Sequence, residues 1–300
     1  MLELIKYAIE KGAILVGSVS GGKDGQAMVK TLVNNKFPVT LLIHADLGRV
    51  EWPDSIKMCK RQSEELNIPL ITVTRHDGLD LLAYWQRRMY KLMSKGKPFW
   101  SSAKQRYCTS DLKREPINKY FRSLPSNFII SCEGIRAEES SARAKKSPLS
   151  IRKEITSTYY DGMSVIEAIA NFNPKKRLAL TWYPVFNYTL EDVWLTYGMT
   201  MTDAEMARHA YACDKKVPEW WPFHPAYAFG NDRVSCIFCV LGSINDLKVG
   251  AKHNPDLLDE MIHMEDVSDA TFRHNWSLRN LKEPEKPKTE KGPFMQAIFE

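Results

Sequence analysis

An apolar run, Ala13-Ile14-Leu15-Val16-Gly17-Ser18-Val19, stops at Ser20-Gly21-Gly22-Lys23-Asp24. A helical pattern follows at once, with Ala27, Met28, Thr31 and Leu32 recurring at three and four residues. The run has the length of a buried strand, so the sequence reads strand, glycine turn, helix. That order has a physical use. Glycines let the backbone approach an anion closely, and the start of a helix directs free amides at it. Lys23 adds a full positive charge and Ser20 a hydroxyl. The turn lacks the spacing of a Walker loop and the three spaced glycines of a dinucleotide fold. A glycine pair that only joins strand to helix is the plain alternative. Ser20, Lys23, Asp24 and the flanking elements together weigh against it.

The rest of the first half repeats the alternation. Strands are expected at Val39–Ala45, Leu70–Thr74 and Phe128–Cys132. Helices are expected over about 3–11, 53–67 and 111–123. Strands alternating with helices imply an α/β fold, a doubly wound parallel sheet with helices on both faces. The later sequence changes character. Residues 143–180 are basic and short of strand signals, and read as a loop-rich insertion. A helix is expected over Thr189–Tyr197 and another over about 255–266. Residues around 200–250 carry Trp220, Trp221, Phe223 and Tyr227 and suggest a compact cap. The expected organisation is a nucleotide-binding α/β domain over 1–199, a C-terminal cap over 200–281, and a flexible tail over 282–300, where prolines and charges dominate.

Charge and cysteine content narrow the chemistry. The 42 basic and 36 acidic side chains leave a formal charge of +6. That excess favours an anionic ligand and permits nucleic acid without demanding it. The clusters at Arg143-Lys145-Lys146, Arg152-Lys153 and Lys175-Lys176-Arg177 read first as solvated surface. No apolar stretch approaches the ~18 residues that span a bilayer, and the N-terminus lacks the pattern of a signal peptide. A cytoplasmic protein without a membrane segment is expected. Six cysteines are too few for a disulfide scaffold and read as core, metal or redox residues. Cys59 and Cys132 fall on core-facing positions. Cys236-Ile237-Phe238-Cys239 can chelate a soft metal, and Cys108 and Cys213 are the candidates to complete a four-thiolate site. A buried pair, a redox pair, and zinc held with His209 or His224 remain open alternatives.

The loop resembles the pyrophosphate loop (PP-loop) of the ATP pyrophosphatases and of the phosphoadenosine phosphosulfate (PAPS) reductase family, within the adenine nucleotide alpha hydrolase-like superfamily. The usual pattern there is Ser-Gly-Gly-x-Asp-Ser, and Gly25 stands where the last serine is expected. Three further stretches are similar to the family: His44-Ala45-Asp46-Leu47-Gly48; Arg106-Tyr107-Cys108-Thr109 through Lys113 and Pro116; and Gly134-Ile135-Arg136-Ala137-Glu138-Glu139-Ser140 through Arg143. Tyr183-Pro184-Val185 through Asp192-Val193-Trp194 matches a more structural element.

The resemblance implies an adenine nucleotide, ATP or PAPS, with its phosphates on Ser20, Gly21, Gly22, Lys23, Asp24 and Gly25. Asp46, Gly48, Arg106, Lys113, Arg136, Glu138, Glu139 and Arg143 would complete the nucleotide site. Lys23, Arg136 and Cys108 would be catalytic, with Mg2+ bridging the phosphates. The similarity to DNA phosphorothioation enzymes, which are iron–sulfur proteins as a class, implies a cluster on Cys108, Cys213, Cys236 and Cys239, with zinc as the alternative. The expected reaction is ATP-dependent adenylation with pyrophosphate release, linked to sulfur transfer. The expected second partner is a sulfur-containing or oxyanion substrate. Reduction of PAPS or adenylyl sulfate to sulfite is the second expectation. The tail lacks the Glu-Cys-Gly-Leu-His segment of thioredoxin-dependent reductases, which counts against that particular type. The third is a non-catalytic nucleotide sensor or nucleic-acid partner. A homodimer is compatible with any of them.

Overall fold

The computed structural model describes residues 1–282, so the expected tail lies outside the described residues apart from Lys282. Six strands form one sheet in the order β3-β2-β1-β4-β6-β5. They are β1 (Ile14–Ser18), β2 (Val39–Ala45), β3 (Leu70–Val73), β4 (Phe128–Glu133), β5 (Leu149–Ile151) and β6 (Leu178–Trp182). All pairings are parallel except β5 against β6, where Leu149 faces Trp182. The order reverses at β1, whose two neighbours are β2 and β4. In such sheets the crevice beyond the strand C-termini at that reversal is where ligands bind, and here the Ser20–Gly25 turn follows β1 directly.

Alternation along the strands fills both faces. Leu15, Leu42, Ile130 and Leu180 pack with Ile5, Met28, Leu32 and Ala168 from helices on one side. Val16, Ile43, Ile129 and Ala179 pack with Ile117 and Phe121 of the helix Glu115–Ser123 on the other. This is the doubly wound arrangement that the repeated strand–helix pattern implies.

The segment 143–180 departs from the loop-rich expectation. It contributes β5, the helix Val165–Ala170 and the start of β6, whose five residues are all buried. Its basic character hid the strand because the flanking Lys175, Lys176 and Arg177 lie in the preceding turn. Arg152 is also buried, not solvated. Its guanidinium donates to Asn118 Oδ1 at 2.8 Å and to Glu133 Oε1 at 3.1 Å, which satisfies the charge behind the sheet.

Residues beyond 200 form the helices Met201–Asp214, Pro225–Phe229, Ile244–His253 and Pro255–Ser268. Their core is shared with earlier parts of the chain. Trp52, Leu81, Trp85, Phe99 and Trp100 pack with Phe238, Leu247, Leu258 and Met261. The helix Leu81–Leu92, which has no counterpart among the expected elements, is central to this second core. Backbone pairing adds a direct link, for Ile237 N donates to Val50 O at 2.8 Å and Glu51 pairs with Cys236 across an antiparallel bridge. These contacts lay the Cys-x-x-Cys segment against the turn that follows β2. Among the described residues, no helix is long and apolar enough to cross a membrane.

Candidate functional site

The turn after β1 is shaped by two close approaches. Gly21 has φ +74°, and a Cβ there would lie 2.6 Å from Ser55 O, so no other residue fits. Gly134, at the end of β4, comes so near the turn that a Cβ would sit 2.4 Å from Asp24 O. Between these contacts lies a cavity of about 140 Å³, lined by Ser20, Gly22, Asp24, Gly25, Glu139, Arg143, Tyr227 and Arg233, among others. Backbone amides at the start of the helix Lys23–Asn34 form one wall. Two guanidinium groups form the other.

The charges across this cavity are organised. Arg136 is buried, and its Nε donates to Asp24 Oδ1 at 2.5 Å while Nη1 donates to Glu138. Glu139 pairs with Arg143, and Arg233 Nε stands 3.9 Å from Glu139 Oε1. Burial and then the neighbouring Arg233 push the Arg143 guanidinium below its usual range; Arg106 and Arg136 act in the same sense, and Asp24 opposes them. Arg136 takes up Asp24 and Glu138, while Arg143 and Arg233 share the single carboxylate of Glu139, which leaves cationic capacity at the cavity for an anion. Arg106 itself is exposed and reaches this field only at its edge.

Lys23 is placed differently from expectation. Its side chain is buried and does not line the cavity. Nζ donates to Asp232 O at 3.0 Å and lies over the Tyr227 ring, 4.8 Å from its centroid. Burial lowers its pKa, with Asp24 opposing. The physical reason is that the cap covers this helix start and offers the ammonium a carbonyl and two aromatic faces, Tyr227 and Trp194. Charge facing the cavity comes from Arg143 and Arg233 instead. Arg233, Tyr227 and Asp232 escape sequence reasoning. Arg233 showed only as the basic neighbour of the cysteine pair, and Tyr227 only as one cap aromatic among several.

The residues implied for Mg2+ fit only in part. Both carboxylate oxygens of Asp24 already face cations, Arg136 at 2.5 Å and Lys23 at 3.7 Å. Asp46 instead accepts from Gly48 N at 2.7 Å, which fixes the turn after β2. It lies with His44 and Glu51 in a group whose ligand atoms are all within 4.8 Å of one another. In His44, burial would lower the pKa, but contacts to Cys59 and Glu51 outweigh it and raise the value to about 10.

The cysteines divide. Lys113 lies in a π-helical turn, Ser110–Arg114, a form frequent at functional sites. Burial works against its ammonium, but Cys236, Glu51, Cys239 and Cys108 together raise its pKa. The Lys113 ammonium is thus within the electrostatic reach of all three thiols. Burial holds the Cys236 thiol well above its usual range, with Lys113 opposing. Cys213 does not join the field at Lys113. It is exposed on the helix Met201–Asp214, with Sγ 3.7 Å from His209 Nε2. Among the described residues, no three thiols lie within 4.8 Å of one another. His224 is buried, and its Nδ1 accepts from Ala226 N, so it is a helix cap and not a zinc ligand. Cys59 and Cys132 are buried in the sheet core, as expected.

No curated protein matches the chain. Among solved structures, a PAPS reductase from Candida auris in a phosphate complex is similar, with 13% identity over 78% of this chain and 86% of that chain, at a TM-score of 0.43. A Candida glabrata FMN adenylyltransferase, solved with FAD and inorganic pyrophosphate, shows 11% identity over 65% of this chain and 55% of that chain, at a TM-score of 0.36. The sequence pattern of the phosphoadenosine phosphosulfate reductase domain matches residues 14–204, a span that takes in the loop after β1, the Asp46 turn, the Lys113 turn and the Arg136–Arg143 segment. With most of its length inside that pattern, the chain belongs to the phosphoadenosine phosphosulfate reductase domain family.

Proposed function

We propose that this protein is an enzyme that binds the phosphate chain of an adenine nucleotide in the cavity after β1 and adenylates an oxyanion or sulfur-bearing substrate with ATP. The carrying observation is the pairing of helix-start amides with Arg143 and Arg233 across a cavity of about 140 Å³, a clamp suited to a diphosphate. In the reaction, a substrate oxygen attacks the α-phosphorus, the bond to the bridging oxygen breaks, and pyrophosphate leaves carrying the electron pair. Arg143 and Arg233 stabilise the charge that accumulates on the leaving group. Arg136 holds Asp24 and so keeps the loop in its binding shape. Cys108, Cys236 and Cys239 are the thiols that would hold an iron–sulfur cluster, which supplies electron storage when bound.

A second reading, reduction of PAPS or adenylyl sulfate, is favoured by one observation: Cys108, Cys236 and Cys239 all act electrostatically on the Lys113 ammonium. Two assays on the same preparation separate the readings. Pyrophosphate release from ATP, stimulated by the oxyanion substrate and lost in Arg143→Ala, supports adenylation. Sulfite release from PAPS with no pyrophosphate from ATP would overturn it in favour of reduction. Nucleotide binding without either product would leave a sensor.

A further inference from the structure

Beside the phosphate loop, at the C-terminal end of β2, His44, Asp46 and Glu51 bring one ring nitrogen and two carboxylates within 4.8 Å of one another. His44 is 1% exposed, and its two nitrogens have different environments. Nδ1 lies 3.1 Å from Val19 O, so it carries a proton and donates to this carbonyl. That leaves Nε2 facing the two carboxylates, where it carries a proton that a bound cation would displace. Nε2 stands 3.2 Å from Glu51 Oε2 as an ion-pair contact and has no other partner. A buried nitrogen held by that contact alone, with two carboxylate groups converging on the same point, is the arrangement that a shared cation satisfies.

The supports are rigid. Asp46 is pinned by Gly48 N at 2.7 Å, and Glu51 is held in the bridge to Cys236. We propose that His44, Asp46 and Glu51 form a binding site for one divalent transition-metal ion of the zinc, manganese or ferrous class. The donor set decides the class. An imidazole with two carboxylates suits borderline ions and disfavours copper(I), which prefers thiolates, and calcium, which prefers oxygen alone. Three protein ligands leave an open position for water or a substrate oxygen. The site stands independently of which nucleotide the loop takes.

The test uses the full chain, stripped of metal with a chelator and titrated with Co2+ and then Zn2+ alone. The expected result is one ion per chain, a visible ligand-field spectrum without a thiolate-to-cobalt charge-transfer band, and a rise in Tm with Zn2+. Asp46→Asn and Glu51→Gln, at partly exposed positions, should each weaken binding at least ~10-fold while Cys213→Ser, exposed on the helix Met201–Asp214, leaves it unchanged. His44→Gln should abolish binding, with circular dichroism confirming its fold. If that variant unfolds, the two carboxamide variants still decide the matter. Absence of saturable binding, equal affinity in both carboxamide variants, or a thiolate band lost in Cys236→Ser would each overturn the proposal.

Discussion

The hydroxyl of Tyr227 lies 2.9 Å from the backbone nitrogen of Lys23 and accepts its hydrogen bond across 204 residues of sequence. That amide opens the helix after the phosphate loop and is one that an anion would otherwise use. The cap therefore supplies an internal stand-in for ligand at the loop. Burial pushes the Tyr227 phenol far above its usual range, so it stays neutral at any working pH.

Tyr227→Phe should leave the Lys23 amide buried and unpaired. A loss of about 1–2 kcal/mol in the ligand-free protein is expected. Pyrophosphate should restore more stability to this variant than to wild type, because the freed amide can take a phosphate oxygen. Thermal denaturation with and without pyrophosphate measures both; equal ligand-induced shifts would separate the amide from the site.

Arg233→Ala should weaken pyrophosphate binding on the order of tenfold, through loss of a charge-assisted contact. Lys23→Ala should act through the cap instead, because its ammonium is bound to Asp232 O and not turned to the cavity. Calorimetry would show the first variant losing affinity and the second losing mainly stability. The reverse pattern would mean Lys23 swings into the cavity when ligand binds.

The loop glycines should differ sharply. A Cβ on Gly25 meets nothing nearer than Val19 Cα at 3.9 Å, so Gly25→Ser should fold normally, with stability within about 0.5 kcal/mol of wild type. Gly21→Ala combines a positive φ with a 2.6 Å approach to Ser55 O and should cost several times more. Chemical denaturation of both variants gives the comparison.

His224 predicts a pH dependence. Burial lowers its pKa from 6.5 to about 4, against the pull of Asp54 and Glu51. The unfolded chain therefore binds this proton first as pH falls. Stability is full above pH 6.5 and declines as pH drops toward 4, by up to ~3 kcal/mol. The structural reason is that Nδ1 accepts from Ala226 N at 3.0 Å, which a protonated ring cannot do. His224→Asn should flatten the profile between pH 6.5 and 4; an unchanged slope would assign the acid sensitivity to other groups.

Much of the sheet was legible because its signals are local. β2 has the same bounds in sequence and structure, and β1, β3 and β4 differ only at their ends, since continuous apolar runs mark strands buried on both faces. β6 escaped because its five residues sit directly after a basic turn, and the helix Leu81–Leu92 because its apolar face serves the second core and not the sheet.

The sequence by itself determined the strand–loop–helix at Ser20–Gly25, the parallel doubly wound sheet, and the family. Each rests on neighbouring residues whose periodicity and backbone freedom dictate local form. The tertiary structure alone decided that Arg233 and Tyr227 close the loop, that Lys23 turns into the cap, that Cys213 lies exposed on its helix while Cys236 pairs with Glu51, and that His44, Asp46 and Glu51 converge. Those outcomes depend on packing Phe238, Leu247 and Met261 against Trp52 and Trp85, which joins segments far apart in the chain, and no local period encodes where such a core will set its edges.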